Sequence, residues 1–306
     1  NKRFDEYGND KVVGTNGFYA MKAHWNEHPE RDEEWAEAER ARIGEERFRR
    51  EHECEFLIFD ETLISSLVLA DMEGVPPVET TGQVRWFKRP TPGHTYMVSL
   101  DPSMGTGGDF AAIQVFELPT FEQVAEWQHN QTPMNQQVRI LQGINKHIHD
   151  TIMEKDASAT PQIFYSMENN SIGEAALMRV MDIGEENIMG MFLSEPIRKG
   201  HRRKFRRGFN TTAKHKIDAC TKFKELVEND KMKINSKLLI TELKDFVASG
   251  MSYSAKPGQH DDLVSACLLM TRMMKVLADF DPKIFEKWTD RTSQITPMPI
   301  FGSFTG

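Results

Sequence analysis

The chain holds only three cysteines in 306 residues, Cys54, Cys220 and Cys267, with no Cys-x-x-Cys pair. That excludes a disulfide framework and a zinc-finger core, and it fits free thiols in a reducing cytoplasm. Long apolar runs are missing too; none approaches the ~20 residues of a membrane span, so no membrane partner is expected. No Gly-x-x-x-x-Gly-Lys-Ser/Thr loop occurs, and the ten histidines contain no His-Glu-x-x-His. A Walker-type phosphate loop and a zinc protease therefore both lack their signature. The opening residues, Asn1-Lys-Arg-Phe-Asp-Glu6, carry neither an initiator Met nor an apolar signal region, and read as the inside of a longer protein.

Positive charge is in deficit overall, with a net charge of −8. The deficit is local. Between Asn26 and Phe56 there are 12 acids against 6 arginines. Far from that segment, Arg198 to Arg207 packs seven Lys/Arg into ten residues: Arg198, Lys199, Arg202, Arg203, Lys204, Arg206 and Arg207. Binding to a polyanion follows the local field more than the total, so these seven are candidate DNA-phosphate contacts. No base-reading helix or aromatic stacking array accompanies them, which predicts little sequence specificity.

What is present is enough apolar residue, 39%, to fill a core. Residues 1–90 read as a mainly helical N-terminal segment and linker. Asp32 to His52 is rich in Glu, Arg and Ala with a break at Gly44; Phe56–Phe59 is a strand candidate, and Leu63–Leu69 a further apolar run. Residues 91–280 read as one α/β domain, and 281–306 as a tail. Strands are predicted at Tyr96–Leu100, Phe110–Glu117 and Gln123–His129, the last two joined tightly at Leu118-Pro-Thr120. Met134, Val138, Leu141, Ile144 and Ile148 recur at helical spacing. A strand at Ile163–Met167, a helix through Ala175–Met181 and a strand at Ile188–Leu193 follow. Further helices are predicted at Ala213–Glu228, Leu238–Val247 and Asp261–Ala278. Three strands, helix, strand, helix, strand is the order of the ribonuclease H/resolvase-like fold, a mixed five-stranded sheet flanked by helices.

In that order the first strand is central and the fourth lies parallel beside it. Asp101 then ends the first, Glu168 ends the fourth, and Asp261 and Asp262 head the last helix. Adjacent strands lie about 4.8 Å apart, so acids at equivalent ends can share an ion. The helix N-terminus offsets part of the crowded negative charge. Oxygen ligands of this kind suit Mg²⁺, with Mn²⁺ as substitute, and two such ions can serve phosphodiester hydrolysis. Each acid also has a plainer reading: Asp101-Pro-Ser as a turn, Glu168-Asn-Asn as a loop, Asp261-Asp262 as a helix cap. Their joint order along one fold pattern favours the metal reading. Gly105-Thr-Gly-Gly108 reads as the turn between the first two strands, Asp109 as a loop residue, and His260 as either a helix cap or a group positioning water or phosphate. Met270, Met273 and Met274 read as core.

Four segments carry a family resemblance: Val98-Ser-Leu-Asp-Pro-Ser-Met-Gly-Thr-Gly-Gly-Asp-Phe110, Ser166-Met-Glu-Asn-Asn170, Gly208-Phe-Asn-Thr-Thr212 and His260-Asp-Asp-Leu-Val-Ser-Ala266. They resemble the large terminases of T-even-like tailed bacteriophages. Ile43-Gly-Glu-Glu-Arg-Phe-Arg-Arg-Glu-His-Glu-Cys-Glu-Phe56 is similar to the stretch closing the terminase ATPase domain. The resemblance implies an endonuclease that cuts concatemeric double-stranded DNA at initiation and headful termination. It implies Asp101, Glu168 and Asp262 as catalytic acids, with Asp261 as a possible ligand of a second ion. Between Asp261 and Asp262 the family pattern favours Asp262. Implied partners are the portal protein, the small terminase subunit and the ATPase domain of the same polypeptide. The implied location is the cytoplasm of the infected bacterial host, transiently the procapsid portal vertex, and not the mature virion. The Walker loop and catalytic Glu of the family's ATPase are absent, so ATP hydrolysis belongs to the full-length protein. Two rivals remain at this level: an actin-like ATPase, which needs a second Gly-rich phosphate motif not found here, and a non-catalytic module that docks the portal and DNA.

Overall fold

The computed structural model describes residues 2–4, 10–12, 24–53, 62–196 and 207–280. The Phe56–Phe59 strand candidate, the tail 281–306 and six of the seven clustered cations, Arg198, Lys199, Arg202, Arg203, Lys204 and Arg206, lie outside the described residues. The chain divides into two compact units, Asn1–Phe59 and Asp60–Gly306.

In the first unit, β1 (Lys2–Phe4) and β2 (Asp10–Val12) pair antiparallel. The acidic segment then forms α1 (Glu33–Ile43) and α2 (Glu45–His52), separated at Gly44. Asp32 caps α1 by accepting the Trp35 N–H at 2.9 Å. Gly44 has φ +85°, which ends the first helix where the sequence places a break. Trp25, Ala36 and Phe48 form a small buried cluster.

The second unit begins with α3 (Ser66–Asp71), β3 (Glu79–Thr81) and β4 (Val84–Trp86). Then come β5 (Thr95–Asp101), β6 (Ala111–Leu118), β7 (Glu122–His129), α4 (Met134–Lys155), β8 (Gln162–Met167), α5 (Ser171–Ile183) and β9 (Met191–Phe192). The chain closes with α6 (Ala213–Glu228), α7 (Lys237–Asp245), β10 (Phe246–Ser249), β11 (Ser252–Ala255) and α8 (Asp262–Phe280). The large sheet has the order β3-β4-β7-β6-β5-β8-β9, seven strands where the sequence predicts five. The additional pair is the β3–β4 hairpin, added antiparallel to β7 through Arg85↔Glu126 and Trp86↔Ala125. A second correction concerns the predicted helix Leu238–Val247. It stops at Asp245, because Phe246 and Val247 pair with Ala255 and Ser254 in a separate hairpin. Within the sheet, β5 pairs antiparallel with β6 and parallel with β8, as the strand order predicts.

Strand parity decides which side the acids face. Tyr96, Val98 and Leu100 pack with Ile163, Tyr165 and Met167 against Val138, Leu141, Ile144 and Ile148 of α4 and Ala176 and Leu177 of α5. Side chains alternate along a strand, so Ser99 and Asp101 point to the opposite face, as do Ser166 and Glu168. α8 covers that opposite face, packing on β5 and β6. The Ser99 hydroxyl donates to the Ala266 carbonyl at 2.7 Å and pins the head of α8 beside the end of β5. Met270, Met273 and Met274 are buried in this layer as core. Among the described residues no helix is long and apolar enough to cross a membrane.

Candidate metal centre

Asp101 is the last residue of β5 and Glu168 directly follows β8. Leu100 is in register with Met167, and the Glu168 N–H donates to the Leu100 carbonyl at 3.1 Å. The two acids therefore leave neighbouring strands at the same level, close enough for the Glu168 charge to act on Asp101. Burial first, then the negative charges of Glu168, Asp262 and Asp261, holds the Asp101 carboxyl well above the usual carboxylate range.

Two backbone approaches fix Glu168. Phe209 runs beside it, with Asn169 N–H to Phe209 carbonyl 2.7 Å and Phe209 N–H to Met167 carbonyl 3.2 Å. From the other side α5 begins so close that a Cβ on Gly173 would stand 1.8 Å from the Glu168 carbonyl oxygen. Asn170 caps that helix by accepting from Ile172 and Gly173. Glycine at 173 is thus needed for the close approach, not for an unusual backbone angle. The β5–β6 turn has a similar requirement at Gly105, where φ is +68° and a Cβ would meet the Thr132 carbonyl oxygen at 2.2 Å.

Asp262 opens α8, and Asp261 directly precedes it. All four acids line one polar cavity of about 300 Å³, together with Asp109, His260, Ser103 and Asn170. Burial, with Asp261 adding to it, pushes the Asp262 carboxyl up to about 6; His260 and the Phe110 N–H act against that rise. The Asp262 Oδ2 atom is buried and has no hydrogen-bond partner. His260 Nδ1 lies 3.6 Å from it, beyond a hydrogen bond, and the His260 ring meets Phe110 edge-on at 4.8 Å. Asp261 lines the cavity and also has partners of its own. Its Oδ2 accepts the Ala255 N–H at 3.3 Å and lies 3.8 Å from Lys216 Nζ.

Among the described residues no three acidic or His/Cys side chains are already drawn in to hold a metal. The donor set nevertheless fits a divalent cation. It consists of hard carboxylate oxygens, one of them buried and unpartnered, with mutual repulsion that a cation would relieve. At the foot of α8, Glu242 accepts the Val264 N–H at 3.1 Å and the Gln128 amide at 2.7 Å. Burial pushes its carboxyl up to about 8.

Of the clustered cations only Arg207 falls among the described residues. It is paired with Glu185, stacked over Phe192 at 5.3 Å, and gives its carbonyl to the Asn169 amide at 2.6 Å. That engagement anchors the strand running beside Glu168. Two cations that the sequence pattern does not single out stand at the site instead. Lys216 and Arg272 line a second cavity of about 150 Å³ together with Asp101 and Glu168. No spacing signal links Lys216 to acids 48 and 115 residues away in the chain, so periodicity could not find it.

A family model described as the terminase RNaseH-like domain matches residues 98–273. The large terminase nuclease from thermophilic phage G20c with bound magnesium is similar at 17% identity and a TM-score of 0.51, over 70% of this chain and 97% of that one. Its cobalt-bound form gives the same values. The G20c nuclease structure that names no metal gives 17% identity and a TM-score of 0.50, over 68% and 96%. The match from β5 to α8 spans every acid of the cavity and more than half of the sequence. The chain therefore belongs to the terminase RNaseH-like domain family.

Proposed function

We propose that this chain is the divalent-metal-dependent DNA endonuclease of a phage genome-packaging motor. The observation that carries the reading is the Asp101–Glu168 carboxyl pair in a cavity shared with Asp261 and Asp262. The G20c nuclease, which has the same fold, binds magnesium and cobalt, and that supports the assignment. Asp101, Glu168 and Asp262 would hold the ions, with Asp261 beside them, and Mg²⁺ or Mn²⁺ suits all-oxygen ligation. A bound cation supplies Lewis acidity, lowering the pKa of water and offsetting charge on a departing oxygen. Asp101 and Glu168, fixed by strand register, set where the scissile phosphate must sit. Asp262 lines the same space, and His260 stands beside it with Nδ1 3.6 Å from its Oδ2. The remaining parts of the proposal are two ions per centre, little sequence preference and cutting of concatemers at initiation and headful termination. So are partnership with the portal, the small subunit and an ATPase domain, and a location in the host cytoplasm and at the portal vertex.

Incubating supercoiled plasmid with the chain tests the reading. Nicked and linear products should form with Mg²⁺ or Mn²⁺ and vanish with chelator. Asp101→Asn should cut nothing while binding DNA nearly as well as wild type; persistent nicking by that variant refutes the role. A wild-type chain that binds DNA and leaves it intact with either metal is a docking module instead.

A further inference from the structure

We propose that Lys216 is a phosphate-binding residue for the cut DNA strand, held by Asp261 until a cation takes that carboxylate over. The proposal rests on the nuclease reading and adds the substrate contact that reading lacks.

Three cavities adjoin along α8. The acidic one shares Asp101, Glu168 and Ser265 with the 150 Å³ cavity that holds Lys216 and Arg272. That second cavity shares Arg272 with a third, of about 220 Å³, lined by His215 and Lys275 and also by the acids Glu195, Asp218 and Asp279. The first two cavities, which share three lining residues, make a groove along α8 from Asp262 to Arg272, about 15 Å at 1.5 Å per residue. A phosphate beside Asp101 and Glu168 would meet only negative charge from the sheet. Its positive counterpart must come from the facing wall, where α6 supplies Lys216 and α8 supplies Arg272.

The two cations differ in freedom. Arg272 is locked: it donates to the Thr211 hydroxyl at 2.8 Å and the Asn210 carbonyl at 3.1 Å, pairs with Glu195, and stacks over Phe209 at 5.2 Å. It is a fixed background charge. Lys216 lies over the Phe246 ring at 5.5 Å, and its Nζ is 3.8 Å from Asp261 Oδ2. That is far beyond the 2.7–2.9 Å of a charge-assisted hydrogen bond. The same Asp261 oxygen is already shared with the Ala255 N–H. Lys216 therefore has a neutralising neighbour and no tight bond. Once Asp261 turns its charge to a cation, the Lys216 ammonium loses that balance and faces the groove, where a phosphate restores it.

The test is DNA affinity of the full chain against salt, with Ca²⁺ as a metal that loads oxygen sites. Lys216→Met keeps the stem on Phe246 and removes the charge; Lys216→Arg keeps the charge. In Ca²⁺, Lys216→Met should flatten the log–log salt dependence by about 0.9, or about 3.5-fold in affinity over a fourfold salt change, and Lys216→Arg should not. In chelator the difference between Lys216→Met and wild type should shrink, because Asp261 then balances the ammonium. An unchanged slope in Lys216→Met with Ca²⁺ overturns the proposal, as does equal flattening in Lys216→Arg. Equal flattening with and without Ca²⁺ overturns the exchange with Asp261. Loss of cooperative melting in Lys216→Met also overturns it, since the residue is then structural. Failure of the nuclease reading shows separately, as uncut plasmid with wild-type protein and Mg²⁺.

Discussion

Replacing Asp262 by Asn separates a metal-holding acid from a structural one, because the two roles predict opposite signs for stability. In the metal-free protein Asp262 is raised from 3.8 to about 6 by burial and by Asp261. Its folded-state pKa lies above its unfolded value. The stability it contributes is therefore full below pH 3.8 and is lost progressively as pH rises to about 6. At about 1.4 kcal/mol per tenfold, the deficit at neutral pH is about 3 kcal/mol, and solvent in a partly open cavity reduces it to about 2 kcal/mol. The Asp262→Asn substitution removes that deficit and keeps an acceptor for the Phe110 N–H. It also gives up a favourable anion in the first turn of α8, worth about 0.3–1 kcal/mol. The net gain is about 1–2 kcal/mol, or about 2–8 °C in Tm for a unit of this size. Differential scanning fluorimetry in chelator, run from about pH 4 to pH 8, should show no gain at the acid end and the full gain at the alkaline end. Saturating Mg²⁺ should raise the wild-type melt past that of the variant, and the variant should not cut DNA. A variant less stable than wild type in chelator at neutral pH refutes the reasoning, since the carboxylate would then hold the fold rather than await a cation.

Gly173→Ala places a methyl 1.8 Å from the Glu168 carbonyl oxygen, so it should cost about 1–3 kcal/mol and impair plasmid cutting together. Retained stability and activity would show that α5 can withdraw from Glu168. Glu242→Gln removes an acid raised from 4.5 to about 8. Wild-type stability should fall relative to this variant between those two pH values and run parallel above them in urea titrations; a constant difference contradicts the assignment. Arg202→Ala with Arg203→Ala should weaken DNA binding and flatten its salt dependence by up to about 0.9 for each phosphate no longer neutralised. Unchanged binding would assign the basic cluster to another partner.

The residues explain why some of this architecture was readable in the chain and some was not. β5 and β8 are largely apolar, interrupted by Ser99 and Ser166, and each leads to an acid, so strand and candidate acid could be read together. α6 was legible to its ends because Thr212 caps it, accepting the His215 N–H at 3.2 Å, and Asn229 stops it. β3 and β4 were not, since three residues each, Glu79-Thr-Thr81 and Val84-Arg-Trp86, are too few to show alternation. Phe246 and Val247 continue the apolar pattern of α7, so only their pairing partners reveal that they are strand. The candidate acids stand out in the sequence by their position at element ends. Lys216 and Arg272 do not, because each sits inside a helix where a cation is ordinary, and only tertiary packing brings them to Asp101 and Glu168. His260 was open between cap and site; its ring on Phe110 and its place beside Asp262 put it in the cavity wall.

The central claim is that Asp101, Glu168 and the Asp261/Asp262 pair gather around divalent cations. Anomalous diffraction from crystals of the full chain grown with Mn²⁺ tests it most directly. The account predicts manganese peaks in contact with the carboxylates of Asp101 and Asp262, with Glu168 drawn in. Manganese bound elsewhere, away from these carboxylates, in a protein that still cuts DNA, would contradict it.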